Sequence, residues 1–124
     1  MTPEEFRRIA LSLDGATEDA HMGHPDFRAN GRIFATLYPD GLDGMVKLTP
    51  EQQQDFVNAE SEAFEPASGA WGRQGCTTVR LAAVNEEQLG ESMTLAWQNT
   101  LKTRTAGVPS TKRPAKAPKQ ARKR

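Results

Sequence analysis

Asp26-Phe27-Arg28-Ala29-Asn30-Gly31-Arg32-Ile33-Phe34-Ala35-Thr36-Leu37-Tyr38 is the stretch whose reading decides the fold. Asn30-Gly31 is a strong short hairpin signal, because both residues tolerate the positive φ of a tight two-residue turn. The flanking residues are rich in β-branched and aromatic types, so the segment reads as two antiparallel strands. A two-residue turn sets Ala29 opposite Arg32 and Phe27 opposite Phe34. One face then presents Phe27, Ala29, Arg32, Phe34, Thr36 and Tyr38. The other presents Arg28, Ile33, Ala35 and Leu37, the last three being the natural floor for helices.

Outward from the hairpin the periodicity changes. Upstream, Thr2-Pro3-Glu4-Glu5 is a capping box with proline at the first helical position. Phe6, Ile9, Ala10 and Leu13 follow at helical spacing, and Gly15 is placed to end the helix. Downstream, Met45-Val46-Lys47-Leu48 reads as a third strand. Thr49-Pro50-Glu51-Gln52 then repeats the capping grammar and opens a second helix carrying Phe56 and Val57. Phe64-Glu65-Pro66 is a short edge piece, and Thr77–Ala82 a further strand. A third helix begins after Asn85, with Leu89, Met93, Ala96, Trp97 and Leu101 on one stripe. Strands joined by tight turns are antiparallel, and amphipathic helices need a sheet face to cover. The expected fold is α+β: a two-layer α/β sandwich with an antiparallel sheet of four to five strands and the helices on one face. By alternation Val46, Leu48, Val79 and Leu81 point inward, and Lys47, Thr78 and Arg80 outward.

The 124 residues carry sixteen basic and sixteen acidic side chains, a formal charge of zero that conceals a division. Residues 1–101 hold seven of the basic residues and all the acidic ones, for a net −9. Residues 102–124 hold nine basic residues and no acidic one, for a net +9. The chain therefore divides into a 1–101 domain and a 102–124 Lys/Arg/Pro/Ala tail, whose composition cannot offset the entropy of ordering and predicts disorder. The length suits one small domain and excludes a multidomain enzyme. No run of about eighteen apolar residues is present, so no membrane contact is expected. The acidic, polar N-terminus and the single Cys76 predict a cytoplasmic protein.

Several segments resemble the MmcQ/YjbR family of small bacterial proteins. They are His21-Met22-Gly23-His24-Pro25-Asp26-Phe27-Arg28, Asn30 to Leu37, Val46 to Gln52, and Arg73-Gln74-Gly75-Cys76-Thr77-Thr78-Val79. The likeness spans roughly the first hundred residues and omits the tail, in keeping with one domain of that size. It implies a two-layer fold like that of secretion chaperones, and DNA binding through a double wing of sheet and loops. It implies no catalytic residues. Members often carry tryptophan near the start of the later strand, where this chain has Cys76, and a Ser-Tyr pair where it has Ala96-Trp97.

Three elements carry candidate chemistry. On the hairpin face, aromatics beside Arg32 suit stacking of unpaired bases while cations neutralise phosphates. The alternative is that Phe27 and Phe34 belong to a core or a dimer seam. Gly69-Ala70-Trp71-Gly72-Arg73-Gln74-Gly75 lacks the Gly-Lys-Ser/Thr ending of a phosphate-binding P-loop. Trp71 could nonetheless stack and Arg73 pair with a phosphate; otherwise this is a turn plugged by Trp71. The tail can condense on nucleic-acid phosphate without sequence choice, or fold back on the acidic body. His21-x-x-His24 with Asp19 and Asp26 looks like a metal cluster, but on an extended segment the imidazoles diverge, so no metal is expected. Cys76 lacks a nucleophile signature, and no cofactor motif is present.

The sequence therefore predicts a non-enzymatic, largely non-specific nucleic-acid-binding protein, with DNA ahead of RNA. The candidate contacts are Arg28, Arg32, Phe34, Lys47, Trp71, Arg73 and Arg80 in the body, and Lys112, Arg113, Lys116, Lys119, Arg122, Lys123 and Arg124 in the tail. The alternative is a protein-interaction or homodimerisation module using the aromatic sheet face.

Overall fold

The computed structural model describes residues 1–21 and 23–102. The predicted tail lies outside them apart from Lys102, and so do the candidate contacts from Lys112 to Arg124.

Local signals build the helices. In α1 (Pro3–Leu11) the Thr2 hydroxyl accepts from Glu5 N at 3.1 Å and the Thr2 amide donates to Glu5 Oε1 at 2.8 Å. Thr49 and Gln52 repeat this reciprocal pair at the start of α2 (Pro50–Ala59), and Asn85 and Gln88 at the start of α4 (Glu86–Lys102). Each pair satisfies two amides that the first helical turn leaves without partners. α1 stops at Leu11 rather than running to Gly15, and Leu13 instead packs from a turn against the core.

Six strands make one antiparallel sheet: β1 (Thr17–His21), β2 (His24–Ala29), β3 (Arg32–Leu37), β4 (Asp43–Lys47), β5 (Phe64–Pro66) and β6 (Cys76–Arg80). Their order across the sheet is β1-β2-β3-β4-β6-β5. The sequence predicted four to five strands. The additional one, β1, is polar and lies at the edge, where no apolar alternation marks it. The Gly69 to Gly75 segment, expected as a loop, contains a short helix, α3 (Gly69–Arg73).

The Asn30-Gly31 turn forms as predicted, with φ of 55° and 77°. Ala29 faces Arg32, but beyond Arg28–Ile33 the register shifts, so that Phe27 faces Ala35. Phe34 is the extra residue of a β-bulge. This corrects the predicted faces: Phe27, Ala29, Phe34, Ala35 and Leu37 all join the core, while Ile33 turns away from it. Phe34 is 0 % exposed and has no surface to offer a base. The core fills the space between this sheet face and Phe6, Ile9 and Ala10 of α1 and Leu89, Met93 and Ala96 of α4. Phe56 of α2 packs on Phe64 of β5 with ring centroids 5.0 Å apart. Val46, Leu48, Val79 and Leu81 point inward as predicted.

Candidate functional site

Residues paired across neighbouring strands share a face, so the register identifies what the face turned away from the core presents. One row crosses the whole sheet: Asp19, Asp26, Thr36, Met45, Thr78 and Glu65. Flanking rows add Arg28 beside Ile33, Arg80 beside Asp43, and Lys47 beside Cys76. Over this face lies a groove of about 660 Å³ whose lining also includes His24, Tyr38 and Trp71. Sequence alternation placed Lys47, Thr78 and Arg80 here. It missed Asp26, Asp43, Met45 and Glu65, although the same period-two pattern along β4 points Asp43 and Met45 outward with Lys47.

Most of the charge on this face is already paired. Asp26 is 1 % exposed and accepts from Arg28 Nε at 2.8 Å and Nη2 at 3.2 Å. Those hydrogen bonds hold the Arg28 guanidinium above its ordinary pKa, with Asp19 adding at 3.9 Å. Arg80 pairs with Glu65 and donates to the Glu62 carbonyl at 3.2 Å. On the helix side Arg7 bonds Glu18 at 2.9 Å and Arg8 bonds Glu86 at 3.3 Å. Four of the seven cations in residues 1–101 are thus neutralised by carboxylates. Arg32, Lys47 and Arg73 make no ion pair among the described residues.

Strand direction brings those three to one end of the sheet. Arg32 follows the Asn30-Gly31 turn, Lys47 is the last residue of β4, and α3 with Arg73 leads into β6 at Cys76, the register partner of Lys47. The C-terminal turn of α4 is tied to the same end. Asn30 Nδ2 donates to Thr100 Oγ1 at 3.0 Å, and Asn99 Nδ2 donates to Gln52 Oε1 at 2.8 Å and to the Lys47 carbonyl at 3.3 Å. α4 therefore ends at the same end of the sheet as the three unpaired cations.

Trp71 is 64 % exposed on α3, so it is not the predicted hydrophobic plug. Arg73 is exposed two residues on. The Asn30-Gly31 hairpin is present, and the glycine-rich segment before β6 carries α3. Burial pushes the Cys76 thiol up against the opposing effect of Lys47, and burial raises the Tyr38 phenol, with nearby acidic groups adding. His21 and His24 do not lie on one extended run: they are register partners, His21 the last residue of β1 and His24 the first of β2. Among the described residues no group of three or more His, Cys, Asp or Glu is arranged to hold a metal, and no helix is long and apolar enough to cross a membrane.

A family model for YjbR matches residues 11–99. The chain belongs to the YjbR family. The fold is similar to the crystal structure of the Deinococcus radiodurans protein DR2400, which carries the family-model domain DUF419. The TM-score is 0.67 at 19% sequence identity, over 89% of this chain and 91% of that one. None of the curated proteins matches this chain. The YjbR match covers α4 as far as Asn99, so it stops short of the basic tail.

Proposed function

We propose that this YjbR protein is a non-enzymatic, cytoplasmic DNA-binding protein that holds phosphates at the Asn30 end of its sheet and along its basic tail. One observation carries the reading: the cations left without carboxylate partners among the described residues, Arg32, Lys47 and Arg73, gather at the end of the sheet where α4 finishes. Arg28 and Arg80, with their carboxylates, contribute little net charge to the sheet face. The body as a whole is acidic, so DNA approaches this end and not the face at large. Such contacts confer affinity without sequence choice.

The test is the salt dependence of duplex binding. Each phosphate engaged contributes about −0.9 to the slope of log K against log salt. Replacing Arg32, Lys47 and Arg73 together by alanine in the full chain is expected to flatten the slope by about 2.7, while Arg7→Ala with Arg8→Ala leaves it unchanged. No duplex binding at low salt refutes the reading. An unaltered slope in the triple variant refutes the body's share and confines contact to the tail.

A second reading takes the groove as a seat for a protein segment, in keeping with the secretion-chaperone likeness of the family. The observation favouring it is that Met45, Tyr38 and Trp71 line one groove. A full chain that stays monomeric by light scattering and shows no DNA-independent partner would count against it.

A further inference from the structure

Trp71 is out of keeping with the other aromatic side chains of the body. The other seven aromatic side chains are buried or half-buried, whereas this indole stands in solvent on a five-residue helix. An exposed indole forgoes the stabilisation that burial gives, and a tryptophan in solvent is free to stack on a ligand. Its setting specifies the ligand. Trp71 and the unpaired Lys47 line the same groove, and Arg73 is exposed on the same helix. Below them the floor mixes apolar side chains, Ile33 and Met45, with polar ones. Thr36 and Thr78 present hydroxyls, and the carboxylates of Asp26 and Glu65 are engaged by Arg28 and Arg80. A flat apolar ring and a free ammonium in one groove, with an apolar floor that also offers hydroxyls, match one nucleotide with its base unstacked from its neighbours. The groove volume, about 660 Å³, lies within the range that takes compact organic ligands. Bases inside an intact duplex are stacked and paired, and cannot reach the indole. Asp43, at the far end of the groove, keeps phosphates at the Lys47 end.

We propose that the groove takes an unpaired nucleotide of DNA, its base on Trp71 and its phosphate on Lys47, so that the protein prefers single-stranded DNA to intact duplex. This rests on the DNA-binding reading above and names the form of DNA that the site selects. The test uses the full chain and fluorescence anisotropy, comparing a labelled oligothymidine of about fifteen nucleotides with a duplex of equal length. The single strand is expected to bind more tightly. Trp71→Ala should weaken it by about tenfold and leave duplex binding nearly unchanged, and Trp71→Phe should recover most of the loss, because stacking tolerates any aromatic face. Indole emission should fall on adding the single strand to the parent. The quench should vanish in Trp71→Phe, which retains only Trp97, its Nε1 bonded to the Asp14 carbonyl at 2.8 Å. Equal affinity for both DNA forms with Trp71→Ala silent would overturn the preference while leaving DNA binding intact. Tighter binding of an equal-length oligouridine would overturn the assignment to DNA. Failure of the parent to bind any nucleic acid would remove both readings together.

Discussion

Gly75 joins α3 to β6, and its replacement by alanine tests how the groove's rim is built. Its φ is +110°, a conformation that side chains with a Cβ rarely adopt. An added Cβ would lie 1.9 Å from the Leu48 carbonyl oxygen and 2.8 Å from its carbon. That neighbour is backbone, and it is held in place: the Leu48 amide donates to the Gly75 carbonyl at 3.2 Å, and the Thr77 hydroxyl donates to the same oxygen at 2.8 Å. The strained dihedral costs about 1–3 kcal/mol, and pushing packed backbone apart about as much again. Gly75→Ala should therefore lose about 2–6 kcal/mol, out of the roughly 5–15 kcal/mol that stabilises a domain of this kind. Urea titration followed by circular dichroism reads the loss as a lower midpoint at constant slope. Gly90→Ala is the matched control. Within α4 its Cβ would meet nothing within 4 Å, so it should gain about 0.4–1 kcal/mol. A Gly75→Ala variant within about 1 kcal/mol of the parent would refute the account of the close approach between Gly75 and Leu48.

Two further outcomes follow from single groups. Glu5 sits in the α1 capping box with its carboxyl held below the usual range, chiefly by the backbone hydrogen bond from Thr2. The stability this supplies is present in full above the unfolded carboxylate pKa and is lost as pH falls through the lower folded value. The melting-temperature gap between parent and Glu5→Gln should accordingly be open at about pH 7 and close toward about pH 3. Cys76 is buried with a raised thiol pKa, so at about pH 8 the native protein should react with iodoacetamide far more slowly than the urea-unfolded chain; equal rates would contradict its burial.

The sequence was legible where structure is decided locally. Thr2 with Glu5, and Thr49 with Gln52, could be read as caps because the partners lie three residues apart. Asn30-Gly31 could be read as a turn because few other pairs accept its dihedrals. The faces of β3 were not legible in the same way. Period-two alternation groups Phe34 with Thr36 and Tyr38, and the bulge that sends Phe34 into the core is fixed by packing from distant helices. β1 escaped notice because an edge strand needs only a partner, and Thr17–His21 has no apolar stripe to announce one. Trp71 and Arg73 were singled out by residue type, but their exposure depends on a helix that glycine-rich sequence reads as loop. The division of cations into paired and unpaired was invisible, since Arg28 and Asp26 are close in sequence while Arg80 and Glu65 meet only across the sheet.

The strand order also bears on how the chain assembles. Each ladder from β1 to β4 joins neighbours in sequence, so this meander forms with short loop closures. β6 arrives later and must enter between β4 and β5, pairing with both. That insertion is the longest-range strand pairing in the sheet, and long-range pairing is expected to limit the folding rate. Changes at Val79 then slow folding, whereas changes in β1 mainly speed unfolding. Until β6 is in place the β4 edge of that meander carries unpaired backbone groups, the kind of edge that invites pairing with another chain.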